Sequence, residues 1–146
     1  MTIIEKEELK KENEKKKKYL WQYEGAVSKM EYHERRIKEL RLNKMCPSII
    51  VDGMPHGNEK SDLSTYAFML EEEEEKYMRA RYNRVKKKQE IEKYINNLHD
   101  KKQIRIMIYR YICLYKWEKI AERTEETVRN LHKIHGKALT NLPRIY

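Results

Sequence analysis

Four side chains pose the chemical question in this sequence. Arg129, His132, Lys133 and Lys137 fall on one side of a helix expected from Glu126 or Thr127 to about Asn141. Guanidinium, imidazole and ammonium donors at that spacing suit hydrogen bonding to base edges and phosphates in the major groove of DNA. Thr127 stands where the helix would begin, and its hydroxyl can accept from the free N–H groups of the first turn. Lys116 and Lys119 flank the preceding short helix and are candidate phosphate contacts. The candidate DNA-binding set is therefore Thr127, Arg129, His132, Lys133, Lys137, Lys116 and Lys119. An ordinary three-helix bundle with a solvated basic face has the same pattern, and spacing alone does not choose between them.

Other chemistries find fewer residues. His132 and His135 are one turn apart, but no Cys, Asp or Glu shares that turn, so no metal site is expected there. His135 is expected to pack near Trp117 or to hydrogen-bond the backbone. His56, between Pro55 and Gly57, has no Ser or Cys beside it and reads as a loop-structuring residue. No glycine-rich loop could cradle a phosphate, and Glu71–Glu75 matches neither a calcium loop nor a catalytic carboxylate pair. Cys46 and Cys113 are far apart without a metal-ligand pattern, which suits free thiols in a reducing cytoplasm. The expectation is a non-enzyme with no catalytic residues, no metal and no cofactor. No apolar run is long enough to span a bilayer, and no secretory leader is recognisable. The expected location is the cytoplasm.

Three helices must position the basic face. The first is expected from about Lys101 to Tyr111, with Ile104, Ile108, Tyr111 and Ile112 on one stripe. The second, Trp117 to Arg123, turns Trp117, Ile120 and Ala121 inward. The third does the same with Leu131, Ile134, Ala138 and Leu142. A helix-turn-helix needs a small residue where its two helices cross, and Ala121 fits that place. Many such motifs carry a glycine in the turn. Here Thr124-Glu125-Glu126 stands instead, placing two carboxylates where phosphates would approach.

Two segments carry a family resemblance. Trp117-Glu118-Lys119-Ile120-Ala121-Glu122, followed by Ile134-His135-Gly136-Lys137-Ala138-Leu139, resembles the C-terminal domain of small phage and prophage proteins. That domain is similar to region four of the sigma factors. Upstream, Gly53-Met54-Pro55-His56-Gly57 with Ser61-Asp62 resembles the linker of the same family, the ArpU-type and RinA-type regulators of phage late transcription. The resemblance covers about residues 18–142. It implies an activator of late genes that binds double-stranded DNA and acts near bacterial RNA polymerase.

The rest of the chain reads as long solvated helices. Charged residues make up 39% of its 146 residues and mean hydropathy is −1.04, which leaves little for a large core. Residues 46–75 hold 1 Lys or Arg against 8 Asp or Glu, whereas residues 76–146 hold 19 against 7. A polyanion would find the second half attractive and the middle repellent. Residues 1–17 read as a basic extension, a frayed helix end or solvated tail in which the Lys15–Lys18 run could touch phosphate. A helix is expected from Lys18 to Asn43, with a seam of Leu20, Tyr23, Val27, Met30, Ile37 and Leu40, and with Trp21 off the stripe. Residues 46–62 form a linker containing the apolar patch Ile49, Ile50 and Val51. A second long helix starts at Asp62 or Ser64. Its face is expected to include Leu63, Ala67 and Leu70, then Tyr77, Met78 and Val85, then Ile91, Ile95 and Leu98, with Glu71–Glu75 a solvated acidic turn.

The expected architecture is all-α. A long antiparallel, coiled-coil-like hairpin (18–98) follows the extension 1–17, and a sigma region-four-like helix-turn-helix domain (99–146) follows the hairpin. Homo-oligomers are expected through the long helices. The leading function is sequence-specific transcriptional regulation. The alternatives are a DNA-packaging factor of the small-terminase type and a coiled-coil adaptor that binds protein without DNA.

Overall fold

The computed structural model describes residues 1–45 and 59–146, and the described residues are all-α. Cys46, Pro47, the Ile49–Val51 patch and the Gly53–Gly57 segment lie outside them. Six helices are described: α1 Ile3–Leu20, α2 Gln22–Met45, α3 Glu59–Ile95, α4 Lys101–Tyr111, α5 Trp117–Thr124 and α6 Val128–Asn141. None of them is long and apolar enough to cross a membrane. The chain divides into two compact units. One joins Met1–Gly25 to Val85–Tyr146; the other is Ala26–Arg84.

The first unit contains the largest departure from the sequence reading. Residues 1–17 are not a tail. Thr2 and Glu5 form a reciprocal capping box that starts α1, each side chain bonding the other's backbone N–H. The helix then lies against α6. Lys16 is buried, and its Nζ donates to the Leu139 carbonyl at 2.7 Å. That carbonyl belongs to the last turn of α6, where the helix has no partner of its own to offer. Arg144 Nε reaches Glu12 at 2.9 Å, and Asn13 donates to the Thr140 hydroxyl at 3.4 Å.

The end of α1 and the start of α2 run antiparallel to the last turns of α3. Tyr19 meets the Tyr94 ring edge-on at 5.0 Å, and three residues further on Gln22 accepts from Lys87 at 3.1 Å. Leu20, Tyr23, Ile91, Ile95 and Leu98 are buried, as their spacing predicts. Tyr94 donates its hydroxyl to the Pro143 carbonyl, and burial pushes its pKa up to about 12. Asp100 then caps α4, accepting from Lys102 and Gln103.

In α4 the inward stripe is Gln103, Ile106, Met107 and Tyr111. Of the expected set only Tyr111 is buried; Ile104, Ile108 and Ile112 are half-buried. Both stripes of this helix are apolar, so period alone could not place the seam. Ile106, Ile120 and Leu131, one from each of the last three helices, form a fully buried cluster with Tyr109, Tyr115, Trp117, Ala121 and Ile134 packed around it.

The second unit is held by polar contacts as much as by apolar ones. Among the described residues, Ile37 and Ala80 are its buried apolar ones. Between them in sequence, Glu73 is buried and accepts from His33 at 3.2 Å and Arg36 at 2.9 Å, with Lys76 nearby. Burial pushes the Glu73 carboxyl up, but the His33 and Arg36 hydrogen bonds and the Arg36 charge outweigh it and hold the group below its ordinary value. The acidic turn is thus not wholly solvated. The expected face of α3 is corrected too: Leu63, Ala67 and Met78 are exposed here, and Leu70 and Tyr77 only half-buried. The α3 helix meets α2 through Glu73 and Glu74, bonded to His33, Arg36 and Arg41, since long charged side chains can span a seam that apolar ones do not fill.

Candidate nucleic-acid interface

The geometry of α5, the turn and α6 follows from local chemistry. Thr124 back-bonds its hydroxyl to the Ile120 carbonyl at 2.6 Å and closes α5. Glu125 then takes a left-handed conformation at φ 57°, where glycine would carry no Cβ penalty. Thr127 caps α6, accepting from the Asn130 amide at 3.1 Å. Ala121, half-buried, packs against the Ile106–Ile120–Leu131 cluster.

The left-handed Glu125 leads to an expected outcome. A non-glycine residue there costs about 1–2 kcal/mol, and glycine loses about 0.5–1 kcal/mol of that advantage through its freer unfolded chain. Glu125→Gly should therefore raise stability by roughly 0.5–1 kcal/mol, read as a higher melting temperature. A lower melting temperature would mean that the glutamate side chain contributes a contact of its own.

The second carboxylate of the turn does not face outward unpaired. Glu126 accepts from Lys102 of α4 and from the Asn130 side chain. These two hydrogen bonds hold its carboxyl below the ordinary value. The charge that sequence reading set against approaching phosphates is thus largely matched by a lysine across the turn.

Opposite its packed side, α6 presents a basic surface. Arg129, His132, Lys133 and Lys137 are all exposed, as are Thr127, Lys116 and Lys119. Arg129, Lys133 and Lys137 recur every fourth residue and form one row along the helix. His132, Gly136 and Thr140 form the adjacent row. A Cβ added at Gly136 would meet nothing within 4 Å, so internal packing does not require this glycine. Lys119 stands over the Tyr115 ring at 4.1 Å, with Arg123 at 5.1 Å, so its ammonium is held in place. Lys116 is the N-cap residue of α5 and makes no side-chain cap. Arg123, exposed near Lys119, is a cation that sequence reading passed over.

Behind this face lies an aromatic cluster. His135 is buried, and its Nε2 is 2.7 Å from the Tyr111 hydroxyl. Its ring meets Trp117 edge-on at 5.0 Å, the neighbour that sequence reading named, but its hydrogen bond goes to a side chain rather than to the backbone. Desolvation, then the charges of Lys17, Arg110 and His132, lowers its pKa to about 4. The His132 ring tilts against Trp117 at 4.8 Å, so this residue is oriented as well as exposed. The Arg110 guanidinium sits 5.0 Å from the Trp21 ring and 4.7 Å from Trp117, and donates to the Tyr115 carbonyl at 3.1 Å. Trp21 thus packs inside its own unit, at the break between α1 and α2. Among the described residues no group of three or more His, Cys, Asp or Glu is placed to hold a metal ion.

No protein-family model, curated protein or solved structure compared with this chain matches it.

Proposed function

We propose that this chain binds double-stranded DNA through α6 and regulates transcription. The observation that carries the reading is the exposed row Arg129, Lys133 and Lys137 on a capped helix whose opposite face is seated on α4 and α5. A helix so presented can enter the major groove, with its first turns at base edges and its later cations at phosphates. The resemblance to ArpU-type and RinA-type regulators adds the finer reading: a phage-encoded, sigma region-four-like activator of late genes, working beside bacterial RNA polymerase at the nucleoid. Self-association through the long helices belongs to the same proposal.

The test is binding to a selected operator and to random-sequence DNA across a salt series. Arg129→Ala should relax base preference at one position, with a loss of roughly 1–3 kcal/mol of discrimination. Lys137→Ala should weaken all sequences alike and flatten the salt dependence by about one unit. If both variants bind every duplex as the parent does, α6 is not a recognition helix and the protein-binding adaptor reading replaces this one.

A further inference from the structure

A second basic wall runs beside α6. The groove between α1 and α6 is lined on the α1 side by Lys6, Lys10, Asn13 and Lys17 and on the α6 side by His132 and Gly136. Both helices belong to the same compact unit. We infer that α1 is a second DNA-contacting element, whose lysines lie along the phosphate backbone of the duplex that receives α6 in its major groove; this rests on the DNA-binding reading above.

Three observations support it. First, α1 is fixed and not merely adjacent. The buried Lys16–Leu139 hydrogen bond, the Arg144–Glu12 ion pair and the Asn13–Thr140 contact set its position and rotation. With Lys16 turned inward, Lys6, Lys10 and Lys17 fall on the side that borders the groove, at i, i+4 and i+11. Second, the charge there is largely uncompensated. Glu14 shares the wall and holds Lys17 at 3.2 Å, but Lys6 and Lys10 have no ion pair among the described residues. Third, the dimensions suit a backbone contact. Packed helices lie about 8–10 Å apart, and the major groove is about 12 Å wide. A helix beside one that fills the groove therefore cannot enter it, and its outer side chains meet the phosphates of the groove's edge.

The experiment uses the full chain, a random-sequence duplex about two helical turns long and a selected operator of the same length, titrated across a salt series. The double variant Lys6→Gln/Lys10→Gln should lower affinity for both duplexes by the same factor, leave base preference unchanged, and make the log–log salt slope shallower by roughly two. The control Lys11→Gln/Lys15→Gln removes the same charge from the far side of α1, and should change the slope by much less. Arg129→Ala is measured alongside. If the Lys6/Lys10 variant binds as the parent while Arg129→Ala loses base preference, α1 is not a DNA contact and the recognition-helix reading stands. Equal slopes for the two double variants would reduce the effect to net charge and overturn the inference. If none of the three variants alters binding, or if the parent binds an acidic polypeptide and not the duplex, the DNA reading and the inference fall together.

Discussion

Leu131→Ala is expected to lower the stability of the C-terminal core by about 2–5 kcal/mol. Leu131 is fully buried and joins α6 to Ile106 of α4 and Ile120 of α5. Truncation removes the transfer energy of the lost methyl groups and leaves a cavity that three crossing helices cannot close by a simple shift. A small domain has only about 5–15 kcal/mol in total, so the loss is a large fraction of it. Urea unfolding followed by tryptophan fluorescence measures it directly, because Trp117 packs against the same cluster. The exposed Lys137→Ala should stay within about 0.5 kcal/mol of the parent in the same assay. A Leu131→Ala loss as small as that would mean that α6 is not seated as described.

Stability should also fall by on the order of 3 kcal/mol as pH drops from about 6.5 to about 4, at roughly 1.4 kcal/mol per unit of pKa difference. The cause is His135. In the unfolded chain its ring takes up a proton near 6.5, whereas in the folded chain it resists until about 4. Between those values the unfolded state binds more protons, so acid favours it, and the loss levels off below the folded value. Burial of the ring is the main cause of the resistance, and the groups facing it add to it. Lys17 comes from α1, Arg110 from α4 and His132 from α6, all basic, while the Tyr111 hydroxyl shares the one hydrogen bond. Glu73, Glu90 and Glu126 are held below their ordinary values, so their contributions start to be lost only at the acid end of this window, as pH falls through the ordinary carboxylate value of 4.5. His135→Gln keeps a hydrogen-bonding group for Tyr111 without a titrating ring. Its stability should be nearly flat from pH 6.5 to about 5, above the range where the carboxylates titrate; a variant as acid-sensitive as the parent there would assign the effect elsewhere.

The C-terminal helices were the legible part of this sequence. Asp100 and Thr127 are strong caps, and Ile120, Leu131, Ala138 and Leu142 sit at unambiguous helical offsets, so α4 to α6 begin and end close to where their residues predict. The exposed Arg129, His132, Lys133 and Lys137 follow from the same offsets. The N-terminal part was illegible for a physical reason. Apolar periodicity detects a helix by the side chains it buries, and at its contact with α6 the α1 helix buries a lysine, satisfied by a carbonyl 123 residues away. In α3 the same rule points to Leu63 and Met78, both exposed, whereas the contact to α2 runs through Glu73 and Glu74. Lys6, Lys10 and Lys17 could have been noticed as a stripe, but only the inward turn of Lys16 shows which way that stripe faces.

The Lys16–Leu139 hydrogen bond bears on how the chain is made. Its two partners are 123 residues apart, and chain elongation proceeds at about 5–20 residues per second. For a time on the order of ten seconds, α1 has left the ribosome without the surface that receives it. During that time its capping box and its Glu14–Lys17 pair can hold helical turns locally, but Lys16 stays in water with no burial to reward it. The high charge of α1 then acts as a safeguard: a segment that waits for its partner with little apolar surface offers neighbouring nascent chains little to stick to.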